Sequence, residues 1–206
     1  MLFRTCPSIA LAFSTIVAAA GATLLITGVA VAQPGIIFLD GGYPEICEAV
    51  AKAVDEPTRQ AITGSRLDVD PIQICTLAIE GPDSTSEQRA GSYNNRSVLK
   101  FAGSDYSGAL ADLDAAMVLQ PAMAQTHANR GYVLAALKRT QEAVAAFDQA
   151  IALGTEEQAR VYFNRGLAHE ELAHVREAYF DYKKAAELAP DWAEPQQELT
   201  RFSVRR

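Results

Sequence analysis

Between Ala90 and Trp192 the chain repeats itself, and a fixed internal period restricts the fold more than composition can. Asn95-Arg96-Ser97, Asn129-Arg130-Gly131 and Asn164-Arg165-Gly166 open three copies. Ala109, Ala143 and Ala178 follow at matched offsets, then Leu113, Phe147 and Tyr182, then Ala116, Ala150 and Ala185; Leu119, Leu153 and Leu188 close the copies. The first interval is 34 residues and the second 35, the extra residue falling after Leu153. A period of this size means stacked helix pairs, each unable to bury its apolar face alone.

In the second copy the apolar spacing predicts helix A over about residues 124–137 and helix B over about 141–153. Helices approach closely where small side chains meet, and Gly131 on A with Ala143 on B provide that. Ala150 does the same against the next helix A, with Phe147 filling the space beside it. Pro121 and Pro190 stop helix B in the first and third copies, because proline cannot continue a helix. Gly154 serves as C-cap in the second. Ser97 stands where the other copies have glycine. This small, small, aromatic, small order resembles the tetratricopeptide repeat, over about a hundred residues. The resemblance implies an all-α fold, a right-handed α-solenoid of antiparallel helix pairs, and a protein-binding rather than catalytic role.

The chain begins Met1-Leu2-Phe3-Arg4 and then carries no charge from Ile9 to Ala32. One basic residue, an apolar core and the small-x-small site Ala30-Val31-Ala32 read as a secretory signal peptide over 1–32, with the mature start at Gln33. The competing reading is a retained membrane anchor, since the stretch is long enough to span a bilayer; Gly21, Gly28 and the Ser/Thr residues dilute its hydrophobicity. Both readings export the repeats, to the periplasm, to the medium or to the outer side of a membrane. Cys6 follows Arg4 and Thr5, not the small apolar residues of a lipoprotein site. Removing 1–32 takes one of the 18 basic residues and none of the 25 acidic ones, so the net charge moves from −7 to −8. An acidic chain without a basic stripe is a poor nucleic-acid binder.

Residues 33–42 read as either a brief extended segment or a disordered lead. Pro44 suits the first turn of a helix whose face is Ile46, Cys47, Val50, Ala53 and Val54, ending near Pro57, and Thr58 to Gly64 add a turn. Asp70-Pro71 starts a second helix that buries Ile72, Cys75, Leu77 and Ile79. We read residues 33–83 as a degenerate repeat covering the open side of the first copy, as atypical end units of solenoids do. The three copies occupy 84–190 (about 90–123, 124–158 and 159–192), and 191–206 form a terminal capping helix. Ser84-x-x-Glu87 and Asp191-x-x-Glu194 read as capping boxes. Trp192, Leu199 and Phe202 line the last helix, with Arg201, Arg205 and Arg206 at its dipole-favoured end.

Cys47 and Cys75 are the two cysteines after residue 32. In an exported protein an even count favours a disulfide, here closing a loop of ~28 residues and worth about 3 kcal/mol in the chain-entropy model. Two buried thiols acting as small apolar groups are the alternative. Without C-x-x-C spacing, a redox-active pair is the weakest reading, though it supplies the alternative function of a redox or accessory factor.

Residues 169–174 read His-Glu-Glu-Leu-Ala-His. Five residues apart on one helix, two side chains point about 140° from each other, which argues against a shared metal; no metal and no cofactor are expected. His127 stands where the other copies have Tyr93 and Tyr162, so a packing role is expected. There is no glycine-rich phosphate loop and no G-x-S-x-G, and no catalytic residues are assigned.

The family lines its concave groove with the second, fifth, sixth, ninth, twelfth and thirteenth positions of each copy. Carried onto this chain, these give a ladder of Asn95, Asn129 and Asn164, then Val98, Tyr132 and Leu167, with Phe101, Arg160, Phe163, Glu170 and Glu171 completing the wall. Asparagine both donates and accepts, so the ladder suits the backbone of an extended peptide from another protein; the alternative is that the asparagines satisfy neighbouring repeats. The carboxylate clamp of chaperone-binding members needs Lys and Asn where this chain has Asn94 and Val98, and Arg where it has Asn164. Only Asn129 and, loosely, Arg160 match, so that clamp is not expected. Arg96, Arg130 and Arg165 stand where the family usually has leucine, and should pair with helix-B carboxylates such as Asp112, Asp148 and Asp181.

Overall fold

A computed structural model describes residues 29–33, 36–39, 42–54 and 70–202. Among them nine helices follow a two-stranded antiparallel hairpin. Strand β1 (Val29–Gln33) pairs with β2 (Ile36–Leu39) in the register Val29 to Leu39, with an irregularity between Val31 and Gln33. Gln33 and Ile36–Leu39 are therefore extended, residues 34, 35, 40 and 41 lie outside the described residues, and β1 contains the expected Ala30-Val31-Ala32 site. The rest of the leader, the Thr58 to Gly64 turn, Arg205 and Arg206 lie outside the described residues.

The all-α part is a solenoid. Helices α1 (Gly42–Val54) and α2 (Pro71–Glu80) form the first pair. The three copies follow as α3 (Ser86–Ala102) with α4 (Tyr106–Leu119), α5 (Ala124–Ala136) with α6 (Thr140–Ala152), and α7 (Gln158–Glu171) with α8 (Val175–Leu188). Helix α9 (Ala193–Leu199) packs on α8. Each B helix packs on its own A helix and on the next one, and successive A helices also meet, α3 with α5 and α5 with α7. That arrangement makes α3, α5 and α7 one continuous wall. None of the described helices is long and apolar enough to cross a membrane.

The signature residues are the core. Ala109, Leu113, Ala116, Ala143, Phe147, Ala150, Ala178, Tyr182 and Ala185 are all fully buried. Burial of one side chain the size of Phe147 contributes about 2–3 kcal/mol. Glycine is required at the A–B crossing: an added Cβ at Gly131 would run into the Phe147 ring, and one at Gly166 would lie 2.8 Å from Tyr182.

Each A helix ends in the same reversal. Ser104, Lys138 and Ala173 hold positive φ of 64°, 59° and 59°. The next residue's N–H then reaches back to the carbonyl five residues earlier: Asp105 to Lys100 at 2.9 Å, Arg139 to Leu134 at 2.9 Å, His174 to His169 at 2.8 Å. This is a Schellman closure, built here without glycine at the left-handed position.

The end units differ in detail from the sequence reading. Helix α1 starts at Gly42, ahead of Pro44, and Cys47 and Ala51 are its buried residues. Asp70 caps α2 by accepting from Ile72 N at 3.0 Å. That helix buries Ile74, Cys75, Ala78 and Ile79, while Leu77 is exposed and Ile72 half-buried; contact with both α1 and α3 selects a different stripe. Ile74 and Ala78 form one cluster with Cys47 and Cys75 that also covers Leu99 of α3. The two sulfurs are in bonding contact, with Cα atoms 4.8 Å apart.

The capping box of α3 is Thr85 with Gln88, one residue beyond the predicted Ser84 and Glu87. Ser84 instead donates to Ala78 O at 2.7 Å, closing the α2–α3 turn. Helix α9 has no side-chain cap from Asp191; its N-cap position is Trp192, whose ring packs at a tilt against Phe163 with centroids 4.8 Å apart. Phe202 lies past the end of α9 against Tyr179 and Tyr182. Arg201, just past the C-cap Thr200, pairs with Glu170 at 3.1 Å and with Glu198.

Candidate functional site

Along the A-helix wall the asparagines do not form a simple ladder. Asn129 Nδ2 donates across the copy boundary to Asn94 Oδ1 at 3.0 Å, and Gln125 Nε2 approaches Asn129 Oδ1 at 3.4 Å. The partner is buried Asn94 rather than half-buried Asn95, because the fifth position of one copy faces the sixth of the next. Asn164 Nδ2 donates to Arg160 O, one turn back on its own helix, at 2.8 Å. No sequence signal separated Asn94 from Asn95, since two adjacent identical side chains differ only in the face they take.

The apolar residues divide between wall and core. Leu167 is 38% exposed, and Val98 is half-buried. Half-buried Tyr132 packs on Phe147 with centroids 5.3 Å apart, beneath the Arg160 guanidinium at 5.8 Å. Phe163 sits between Tyr182 and Trp192, and Phe101 packs on Tyr106. Arg160 also pairs with Glu157 at 3.3 Å.

The acidic end of α7 is tied down on both sides. Glu170 accepts from Tyr182 Oη at 2.6 Å and pairs with Arg201. Burial and the bond to Glu170 push the Tyr182 hydroxyl well above its ordinary range. Glu171 accepts from Lys138 Nζ at 2.7 Å and Thr140 Oγ1 at 2.9 Å, clipping copy three to the turn of copy two. Those hydrogen bonds hold its carboxyl below the usual glutamate value.

Behind the wall, the three arginines follow one rule with one gap. Arg96 forms a bidentate pair with Asp112, at 2.9 and 2.7 Å, and reaches Thr76. Arg165 forms one with Asp181, at 2.8 and 2.6 Å, and adds Asp148 of the preceding B helix at 2.6 Å. Arg130 reaches Asp114 of the preceding B helix at 3.4 Å but makes no bidentate pair among the described residues, because Ala146 stands where the other copies have Asp112 and Asp181. Tyr93 and Tyr162 lie under Arg96 and Arg165 at 5.4 and 5.2 Å. His127, in the position of those tyrosines, is half-buried, and its Nε2 lies 2.8 Å from Pro121 O.

The histidine geometry also differs from expectation. The Schellman turn folds His174 back over His169, and their Nδ1 atoms are 3.3 Å apart. A 140° separation holds along one continuous helix, whereas α7 ends at Glu171. Among the described residues no group of three or more His, Cys, Asp or Glu is placed to hold a metal ion.

Two family models described as tetratricopeptide repeat match residues 124–153 and 159–192. No curated protein matches the sequence. Among solved structures, the first such domain of Spaghetti (RPAP3), bound to the HSP90 peptide SRMEEVD, is 26% identical with a TM-score of 0.53, covering 56% of this chain and 90% of that one. YrrB, described as having an unusual peptide-binding site, is 23% identical at a TM-score of 0.55, covering 61% of this chain and 62% of its own. MamA from Desulfovibrio magneticus is 17% identical at 0.59, over 77% and 82%. The last two likenesses are of fold alone.

Proposed function

The chain is a tetratricopeptide-repeat protein, and from that premise we propose that it is an exported, non-catalytic scaffold whose A-helix wall holds an extended segment of another envelope or exported protein. The observation that carries this reading is the wall itself: amides of Asn95, Gln125, Asn129 and Asn164 beside Val98, Tyr132 and the exposed Leu167. Such a surface offers backbone hydrogen bonds beside apolar seats, which an extended peptide needs. A peptide-bound relative at 26% identity supports a peptide as partner. The missing carboxylate clamp argues that the segment is not an acidic C-terminus of the SRMEEVD kind.

Export rests on the leader reading of 1–32, and a retained anchor over 9–32 would hold the same scaffold on a membrane. The Cys47–Cys75 contact is read as a structural staple. A redox role for that pair needs accessible sulfur, and both residues are fully buried.

A photoreactive residue placed at Leu167 in the exporting cell tests the groove, with the same residue at Val118 as the control, an 81% exposed position on a B helix. The expected result is a discrete crosslinked protein from Leu167 that Val118 does not give. Identical products from both positions, or none from Leu167, remove the groove assignment.

A further inference from the structure

We propose that His169 and His174 form a two-imidazole site for a divalent transition cation of the zinc class, with water in its remaining positions. The pair exists because of the turn, not the helix. Ala173 at φ 59° reverses the chain, and the His174 N–H bond to His169 O, at 2.8 Å, fixes the reversal. Residues five apart thus become neighbours at the end of every A helix, and only in the third copy are both histidine. The other copies have Lys100 with Asp105 and Leu134 with Arg139.

The spacing suits a metal. With metal–nitrogen bonds of about 2.05 Å, nitrogens 3.3 Å apart subtend about 107° at a shared ion, close to tetrahedral. The ring centroids, 5.6 Å apart, set the two Nδ1 atoms nearly head-on, the arrangement of an N–H···N hydrogen bond; a shared ion lies off that axis, so the rings must tilt to admit it. His174 is solvent-exposed, so its ring is free to swing until both lone pairs meet at one point.

The surroundings favour that outcome. His169 is the more buried ring, and its Nε2 faces Asp181 Oδ2 at 3.9 Å. That distance is too long for a hydrogen bond, and both Asp181 oxygens accept from Arg165, so the carboxylate places negative charge behind the ring without bonding to it. Arg165 is the nearby cation, and it is matched by two carboxylates, Asp181 and Asp148. The local charge therefore leaves a negative excess to receive a cation.

Calorimetric titration of the untagged, oxidised full chain with Zn2+ tests the site, and Co2+ absorption reports the ligand geometry. One equivalent of Zn2+ is expected. His174→Gln and His169→Gln should each weaken binding by roughly tenfold or more, on the scale that even supporting groups show, while His127→Gln leaves it unchanged. His174 is exposed, so its variant separates ligand loss from misfolding; unaltered circular dichroism completes that control. No Zn2+ binding, equal affinity in the wild type and His174→Gln, or loss on His127→Gln alone would each overturn the assignment.

Discussion

Gly131 and Gly166 sit against the rings of Phe147 and Tyr182, whereas the matched residues of the first copy are Ser97 and Leu113, both buried. A larger residue on helix A thus goes with a smaller one on helix B, and the A–B distance is kept by volume rather than by one residue type. Gly131→Ala gains helix propensity, but the Phe147 ring occupies the space, so unfolding free energy should fall by about 1–3 kcal/mol. Adding Phe147→Leu should recover part of that loss. Denaturant unfolding of the four-member cycle reads the coupling, and strictly additive effects would disprove the pairing. The arginines give a second residue-scale prediction. Asp112→Ala removes both hydrogen bonds from a largely buried guanidinium and should cost about 2–4 kcal/mol. Asp114→Ala loosens one long, solvent-exposed contact, worth under about 1 kcal/mol. Equal costs in denaturation would show that the bidentate geometry is irrelevant to stability. The repeat spacing pointed to these pairs; the gap at Ala146 shows why the second copy breaks the rule.

Secondary-structure elements bring the turns and the end units into view. Three A helices close through a left-handed residue that is not glycine, although an L side chain costs roughly 1–2 kcal/mol in that conformation. Ala173→Gly should therefore raise stability by about 0.5–1 kcal/mol net of the extra chain entropy that glycine carries unfolded; a lower melting temperature would refute the strain argument. Nothing in Ser104, Lys138 or Ala173 announces a positive φ, so the closure could not be seen in the sequence. At the other end, α1 adds to the stack through the cluster around Cys47, Cys75 and Leu99. Reduction of that pair should loosen the α1–α2 unit first and then the first copy, because stacked units stabilise their neighbours in series. Hydrogen exchange with and without reductant should show protection lost from Ile46 to Leu99 and retained from Phe180 to Leu188. Two free thiols found by mass spectrometry in protein isolated without reductant would end the staple reading.

At the scale of the whole molecule, the leader reading predicts a mature N-terminus at Gln33, to be checked by terminal sequencing of the exported protein; an intact residue 1 would favour the anchor. Cleavage there would separate all of β1 but Gln33 from β2. The sequence by itself determined the solenoid, its three-copy phase, the buried small and aromatic positions and the carboxylates that Arg96 and Arg165 seek. All of these repeat with a period, and a period survives projection onto one dimension. Only the tertiary structure decided which asparagine of the adjacent pair Asn94 and Asn95 meets Asn129, that Phe163 is shared with Trp192, that the box capping α3 is Thr85 with Gln88, and that His169 and His174 touch. Each of those outcomes depends on helix rotation or on where a helix stops. A shift of one residue, about 100° around the axis, changes the neighbour without changing the pattern.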